Sequence, residues 1–281
     1  MQRIGVGDLE VAYLDEGPAE GPPVVMLHGF PDGPFTFDHL AGVLVGEGYR
    51  VIRPWLRGYP PTTVPDDRAV GVEQLVEDLH GLVAGLDLSD PVLVGHDWGA
   101  VIGWASAVRD DHPWMALVAL AIPPAPVQAR ARRSPRQMLY RAGYMLPFQL
   151  PGAEHVLPRV VPRLYRRWSP GWTPPPAHMD QVLAMVGQVD AARAMLAYYR
   201  GIVPDVLTGR YPRDPRAVPE IPLRYLHGEL DTCFPARAAR RSRKALPDGS
   251  VRVIARCGHF LHLERPEEVA EDIARFLAAL R

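Results

Sequence analysis

The sequence predicts an α/β protein: a mostly parallel central sheet flanked by helices, with a helical cap inserted before the last part of the sheet. Three observations lead there. Short apolar runs rich in β-branched residues alternate with stretches of helical periodicity, a proline- and arginine-rich stretch interrupts the alternation, and the alternation then resumes to the C-terminus. With 281 residues, 47% of them hydrophobic and 22% charged, the chain is long enough for one large α/β core carrying an insertion.

The N-terminal stretch MQRIGVGDLEVAYLDEG alternates apolar and charged residues, as an edge hairpin does, and lacks the continuous apolar run of a secretory signal. Three runs then have the length and composition of buried parallel strands: PPVVMLH at 22–28, YRVIRPW at 49–55 and PVLVGH at 91–96. Between the second and third, Leu75, Val76, Leu79, Leu82 and Val83 recur at helical spacing within 72–88. AVIGWASAVRDDHP begins the next helix, and WMALVALAIP at 114–123 is the next strand.

From 124 to 219 the prolines and arginines suit short cap helices, with a break at SPGWTPPPAH, 169–178. The core then occupies 1–123 and 220–281. Its second part offers the strands IPLRYLHG at 221–228 and SVRVIAR at 250–256, and a closing helix, 266–281, with acids in its first turn.

Composition narrows the function classes. A formal net charge of −1 gives no reason to expect nucleic acid. No apolar run approaches the roughly 20 residues that span a bilayer, so the expectation is a cytoplasmic protein without a membrane span. Two cysteines, Cys233 and Cys257, supply neither a disulfide framework nor a four-cysteine metal site; they are two free thiols or one bridge. The cap sequence contains RARRSPRQ and RLYRRW with few acids, which is a solvated arginine-rich surface or a surface for an acidic partner, an anionic substrate or a lipid surface.

The chemistry is concentrated at Gly95-His96-Asp97-Trp98-Gly99, directly after a strand and before a helix. A strand-to-helix turn that sharp needs small flanking residues and projects its central side chain over the sheet edge. The central residue is Asp97; a carboxylate needs no base to become nucleophilic and suits attack on an alkyl carbon bearing a leaving oxygen or halide. The structural alternative is an aspartate capping the following helix. Two distant segments favour the nucleophile. His227-Gly228-Glu229-Leu230-Asp231 places an acid after one late strand, and Cys257-Gly258-His259-Phe260 places a base after the next, in the chain order nucleophile, acid, base. His262, just beyond, reads as structural. His28-Gly29-Phe30-Pro31 offers the Phe30 backbone N–H which, with that of Trp98, forms an oxyanion hole for the charge that develops when water attacks an Asp97 ester.

Taken in order, HGFP, RGY, GHDWG, HGELD and GHF closely resemble the marks of the α/β-hydrolase family of epoxide hydrolases, over almost the whole chain. The resemblance implies opening of an epoxide to a vicinal diol through an Asp97 ester, with an apolar epoxide and water as partners and no cofactor or metal. It also implies two cap tyrosines on the epoxide oxygen: Tyr144, before MLPFQLPG, and Tyr199, in AYYR, with Tyr140 and Tyr198 as the neighbouring registers. Phe30, Trp98, Phe148 and Trp168 are candidate walls of an apolar cavity. Pro60 and Pro61 after Arg57-Gly58-Tyr59 depart from the family pattern.

The nearest rival is a haloalkane dehalogenase with the same nucleophile, disfavoured by Phe30 where such enzymes often carry a halide-contacting group. A fluoroacetate-type dehalogenase usually has arginine where Trp98 stands. A non-catalytic receptor has no need of all three triad members, and an esterase normally has serine at position 97.

Overall fold

The computed structural model describes residues 1–63, 70–132, 143, 145–207 and 217–281. Eight strands form one sheet: β1 (Gln2–Val6), β2 (Leu9–Glu16), β3 (Pro23–Leu27), β4 (Arg50–Pro54), β5 (Val92–His96), β6 (Ala116–Leu120), β7 (Leu223–Gly228) and β8 (Val251–Ile254). The spatial order is β1-β2-β4-β3-β5-β6-β7-β8, antiparallel across β1, β2 and β4 and parallel from β4 to β8. After β3 the chain moves to β4 on one side; after β5 it moves to β6 on the other. The crevice beyond the C-terminal ends of β3 and β5 is therefore the point where the winding reverses, the place such sheets offer to a ligand.

Both sheet faces are covered, which is why the parallel strands read as continuous apolar runs. Val24 and Met26 of β3 point to one face, with α1 (Asp38–Gly46) and α11 (Pro266–Ala278). Val25 and Leu27 point to the other, with α2 (Val72–Gly85) and α3 (Trp98–Ala107). The buried positions of α2, Val72, Leu75, Val76, Leu79, Leu82 and Val83, follow the helical period. Each such side chain contributes roughly 1.5–3 kcal/mol when fully buried.

Between β6 and β7 lie α4 (Ala125–Arg132), a short helix α5 over 145–149, α6 (Ala153–Trp168), α7 (Pro176–Val186) and α8 (Val189–Leu207); α6, α7 and α8 pack on one another. Prolines predict short helices here, and the structure differs: α6 runs 16 residues and α8 runs 19. Pro158 and Pro162 lie inside α6, four residues apart on its partly exposed side. The buried stripe Ala153, Leu157, Val161, Leu164, Tyr165 and Trp168 keeps the helical period through them, and packing outweighs two missing backbone donors. The expected break survives as irregular chain from Ser169 to Pro175. After β7 come α9 (Arg237–Ser242) and α10 (Leu261–Glu264). No described helix is long and apolar enough to cross a membrane. Cys233 and Cys257 are both buried and are not joined in a disulfide.

Candidate active site

Asp97 lies between β5 and α3 with φ +48° and ψ −115°, a conformation that costs a non-glycine residue about 1–3 kcal/mol. Its neighbours make the turn possible: a Cβ on Gly95 would run into the Gly99 carbonyl, and one on Gly99 into that of Leu27. Asp97 occupies the N-cap position of α3, yet its side chain makes no capping bond. Its Oδ1 instead accepts the N–H of Phe30 at 2.9 Å, and its Oδ2 lies 3.4 Å from His259 Nε2. The carboxylate is thus held at the C-terminal edge of the sheet by the loop after β3.

His259 and Asp231 arrive from the loops after β8 and β7. His259 Nδ1 is 2.9 Å from Asp231 Oδ2, and the other oxygen of Asp231 accepts the N–H of Phe234 at 3.0 Å. Glu229, the other carboxylate of that loop, accepts the N–H of Arg256 at the surface. His96 Nε2 donates to the His259 carbonyl at 3.0 Å; burial pushes its pKa down to about 4, so this neighbour is neutral.

Burial opposes charge on Asp97 and on His259, and the partners outweigh it. Burial alone would raise the Asp97 carboxyl, but the hydrogen bond and charge of His259, with His96 and the Phe30 N–H, hold it below its ordinary value. Burial alone would lower the His259 imidazole, and the carboxylates of Asp231 and Asp97 raise it well above the ordinary value. The partners thus favour the charged form of the Asp97 carboxyl and of the His259 imidazole against their burial.

The candidate wall residues form one aromatic cluster. Phe30 meets Tyr199, Phe148 and Trp168 edge to face, with ring centroids 5.1, 5.7 and 6.3 Å apart. Trp98 meets Tyr199 at 5.5 Å, and Trp168 meets His259 at 5.3 Å. Both adjacent tyrosines reach this cluster: Tyr198 meets Trp98 at 5.2 Å and donates its hydroxyl to the Arg57 carbonyl at 2.8 Å, while Tyr199 meets Phe30 as well. Tyr144 and Tyr140 lie outside the described residues. Pro60 and Pro61 sit in the loop after Arg57, whose guanidinium pairs with Asp78 and Asp8.

Sequence reasoning missed two groups. Asp32, directly after HGFP, is fully buried and accepts from Tyr165 at 2.6 Å, from His178 at 2.8 Å and from Thr36 at 3.2 Å, tying α6 and α7 to the core. Ser169 and Glu264 link the end of α6 to the His259 loop. The available signal was an acid following a motif, HGFPD and GHFLHLE, without a visible partner. His262, read as structural, is buried with Nε2 2.7 Å from the Thr36 hydroxyl. Among the described residues no group of three or more His, Cys, Asp or Glu is placed to hold a metal ion.

The sequence model of the alpha/beta hydrolase family matches residues 24–272. An AB hydrolase superfamily protein, YfhM, of Bacillus subtilis (strain 168) is 26% identical across 98% of this chain and 97% of its own length. Epoxide hydrolase A of Mycobacterium tuberculosis is 33% identical over 65% of this chain and 57% of its own length. A crystal structure of an epoxide hydrolase from Vigna radiata shares the fold at a TM-score of 0.82, with 24% identity over 99% of this chain and 97% of that one.

Proposed function

Since the chain belongs to the alpha/beta hydrolase family, we propose that it hydrolyses epoxides to vicinal diols with Asp97 as nucleophile. One observation carries the reading: an aspartate at the strand-to-helix turn with one oxygen on the Phe30 N–H and the other facing His259. The name of the Mycobacterium tuberculosis relative supports it.

In this reading the steps run as follows. Oδ2 attacks a ring carbon, the C–O bond breaks, and its electrons stay on the oxygen, which takes a proton from the phenols of Tyr199 and Tyr144. Oδ1 becomes the ester carbonyl, still on the Phe30 N–H. Esterification removes one of the two carboxylates that raise the His259 pKa, so the imidazole releases its proton more readily in the intermediate than in the free enzyme. It then takes a proton from water, whose oxygen adds to the ester carbon. Charge builds on Oδ1 against the amides of Phe30 and Trp98. Collapse returns the Asp97 carboxylate, the departing alkoxide takes the proton that His259 drew from water and completes the diol, and the proton that the imidazolium released after alkylation restores the tyrosine phenol. Phe30, Trp98, Phe148 and Trp168, members of one buried apolar cluster, are in this reading the wall against a small apolar epoxide.

Incubation with a panel of epoxides and haloalkanes, reading diol and halide, tests the reaction class. Diol without halide is the expected result; halide release without diol overturns the reading in favour of a dehalogenase.

A further inference from the structure

Helix α6 ends at Trp168, and the chain there is fastened to both loops that carry the base and the acid. The Trp168 carbonyl accepts the N–H of His259 at 3.2 Å and that of Thr232, next to Asp231, at 3.5 Å. The Thr232 hydroxyl donates to the Arg167 carbonyl. Ser169, fully buried, donates its hydroxyl to Glu264 Oε1 at 2.6 Å and accepts the N–H of Phe260 at 3.3 Å. Glu264 in turn accepts the N–H of Gly258, 2.9 Å from both carboxylate oxygens.

Three successive backbone amides, those of Gly258, His259 and Phe260, are therefore each held from outside their own loop: by Glu264, by the Trp168 carbonyl and by the Ser169 hydroxyl. The approach is so close that a Cβ on Gly258 would fall onto Ser169. A loop of irregular chain has no ladder to fix it, and an imidazole at its centre inherits whatever play the backbone has. Here nothing is left to play, because the acceptors come from a helix end and from a half-buried carboxylate. Burial raises the Glu264 pKa while its bonds to Ser169 and Gly258 lower it, and the net direction is upward.

We infer that Ser169 and Glu264 are positioning residues for His259: through the Ser169–Glu264 pair, the end of the cap helix fixes the imidazole between Asp231 and Asp97. The Ser169 hydroxyl bonds Glu264 and the Phe260 N–H, and Glu264 bonds Ser169 and the Gly258 N–H, so both act through the loop. The inference rests on the two-step reading above. Within it, alkylation needs the Asp97 carboxylate and the amide of Phe30, whereas ester hydrolysis needs the imidazole aimed at a water. Misplacement of the imidazole by about 1 Å costs on the order of 100-fold, and that loss falls on the second step alone.

Single-turnover and steady-state kinetics on styrene oxide, with intact-mass measurement of the ester fraction, test this in the full-length protein. Ser169→Ala and Glu264→Leu are expected to slow ester hydrolysis 10- to 100-fold with alkylation within about 3-fold of wild type. Because alkylation sets kcat/KM in such a scheme, kcat and KM fall together and kcat/KM holds. Glu264→Gln, which keeps an acceptor oxygen for Ser169 and Gly258, recovers most of the hydrolysis rate.

A purely structural role gives another pattern: a smaller active fraction, with kcat and kcat/KM lowered equally, KM unchanged and the ester decaying at the wild-type rate. That result, or equal slowing of both steps, overturns the inference. If Glu264→Leu does not fold, Ser169→Ala carries the test. Wild-type turnover in the same assay reports on the reaction class itself. The His259 Nδ1–H proton resonance in substrate-free protein reports on the positioning alone: it shifts or broadens in Ser169→Ala if the pair holds the ring, and an unchanged resonance overturns the inference whatever the substrate.

Discussion

The two halves of the site are held in different ways. In the core half, each side chain sits one to five residues past a parallel strand and is fixed by main-chain donors or a short charged bond: Asp97 by the Phe30 N–H, Asp231 by the Phe234 N–H, His259 by Asp231. In the cap half, Tyr199, Phe148 and Trp168 come from three different helices and touch the core's Phe30 edge to face at 5.1–6.3 Å. Directional bonds fix atoms to tenths of an ångström, whereas ring contacts fix a wall. The comparison puts the directional bonds in the core and the ring contacts in the segment between β6 and β7.

The largest effect tests the core. Asp97→Ala is expected to abolish diol formation, by about 10,000-fold or more, because no second nucleophile stands at the turn. Its thermal stability should not fall by a comparable measure, since the variant also removes a buried carboxylate. Residual turnover above one part in a hundred would move the nucleophile elsewhere.

Next, His259→Gln should separate the two steps. The ester forms and persists, intact mass rises by one whole epoxide, and hydrolysis drops by about 100- to 10,000-fold. The wild type has a matching pH signature. Asp97, held below its ordinary pKa, stays ionised into mild acid, so alkylation is flat above about pH 5. Hydrolysis needs the neutral imidazole and rises with pH, so ester accumulates on the acid side. An unmodified mass in the variant with bound substrate, or a pH-independent ester level in the wild type, contradicts this division.

A smaller effect belongs to the cap. Tyr199→Phe should slow alkylation about 100-fold, near 3 kcal/mol, and leave ester hydrolysis within a few-fold. If alkylation stays at the wild-type rate, the cap supplies walls only, and the difference between the halves becomes complete.

The same contrast explains what the sequence discloses. Asp97, Asp231 and His259 are legible because strand periodicity and the glycines beside them are local signals, and β5, β7 and β8 lie inside the runs read from the sequence. The Phe30 amide follows from the same logic. The cap is less legible. Two prolines suggest breaks in α6, yet the buried stripe that overrides them becomes visible only when α7 and α8 pack against it. The Tyr198 hydroxyl is taken up by the Arg57 carbonyl, 141 residues away, a partner no local signal announces. Asp32 meets Tyr165 and His178 across 133 and 146 residues, and nothing local in any of the three announces the others.

That last contact gives the smallest activity effect and the most specific pH effect. Asp32 and His178 form a buried pair at 2.8 Å that joins α7 to the loop carrying Phe30, with Tyr165 and Thr36 on the same carboxylate and Asp38 also acting on His178. Burial works against the His178 imidazolium, but Asp32 raises its pKa above the ordinary 6.5. Asp32 is driven the other way, below 3.8, by His178 and its hydrogen bonds, despite its burial. The raised imidazole contributes stability that is fully present below about pH 6.5 and is lost as pH rises through the folded pKa. The depressed carboxyl contributes stability that is present above about pH 4 and is lost as pH falls. The pair therefore stabilises the cap's seat from about pH 4 up to the folded pKa of His178. A hydrogen bond to a charged group is worth about 1.5–3 kcal/mol in that window. His178→Gln keeps a donor for Asp32 and removes the charge. Its melting temperature should lie furthest below wild type at pH 5–6 and converge on it toward pH 9, with diol formation changed only a few-fold at neutral pH. His259 also has a raised pKa and loses its contribution in the same direction, so the difference between the two proteins, and neither curve by itself, isolates the pair. A melting difference that is constant from pH 5 to 9 means that His178 contributes packing without charge, and that the cap is seated on the core by its apolar faces alone.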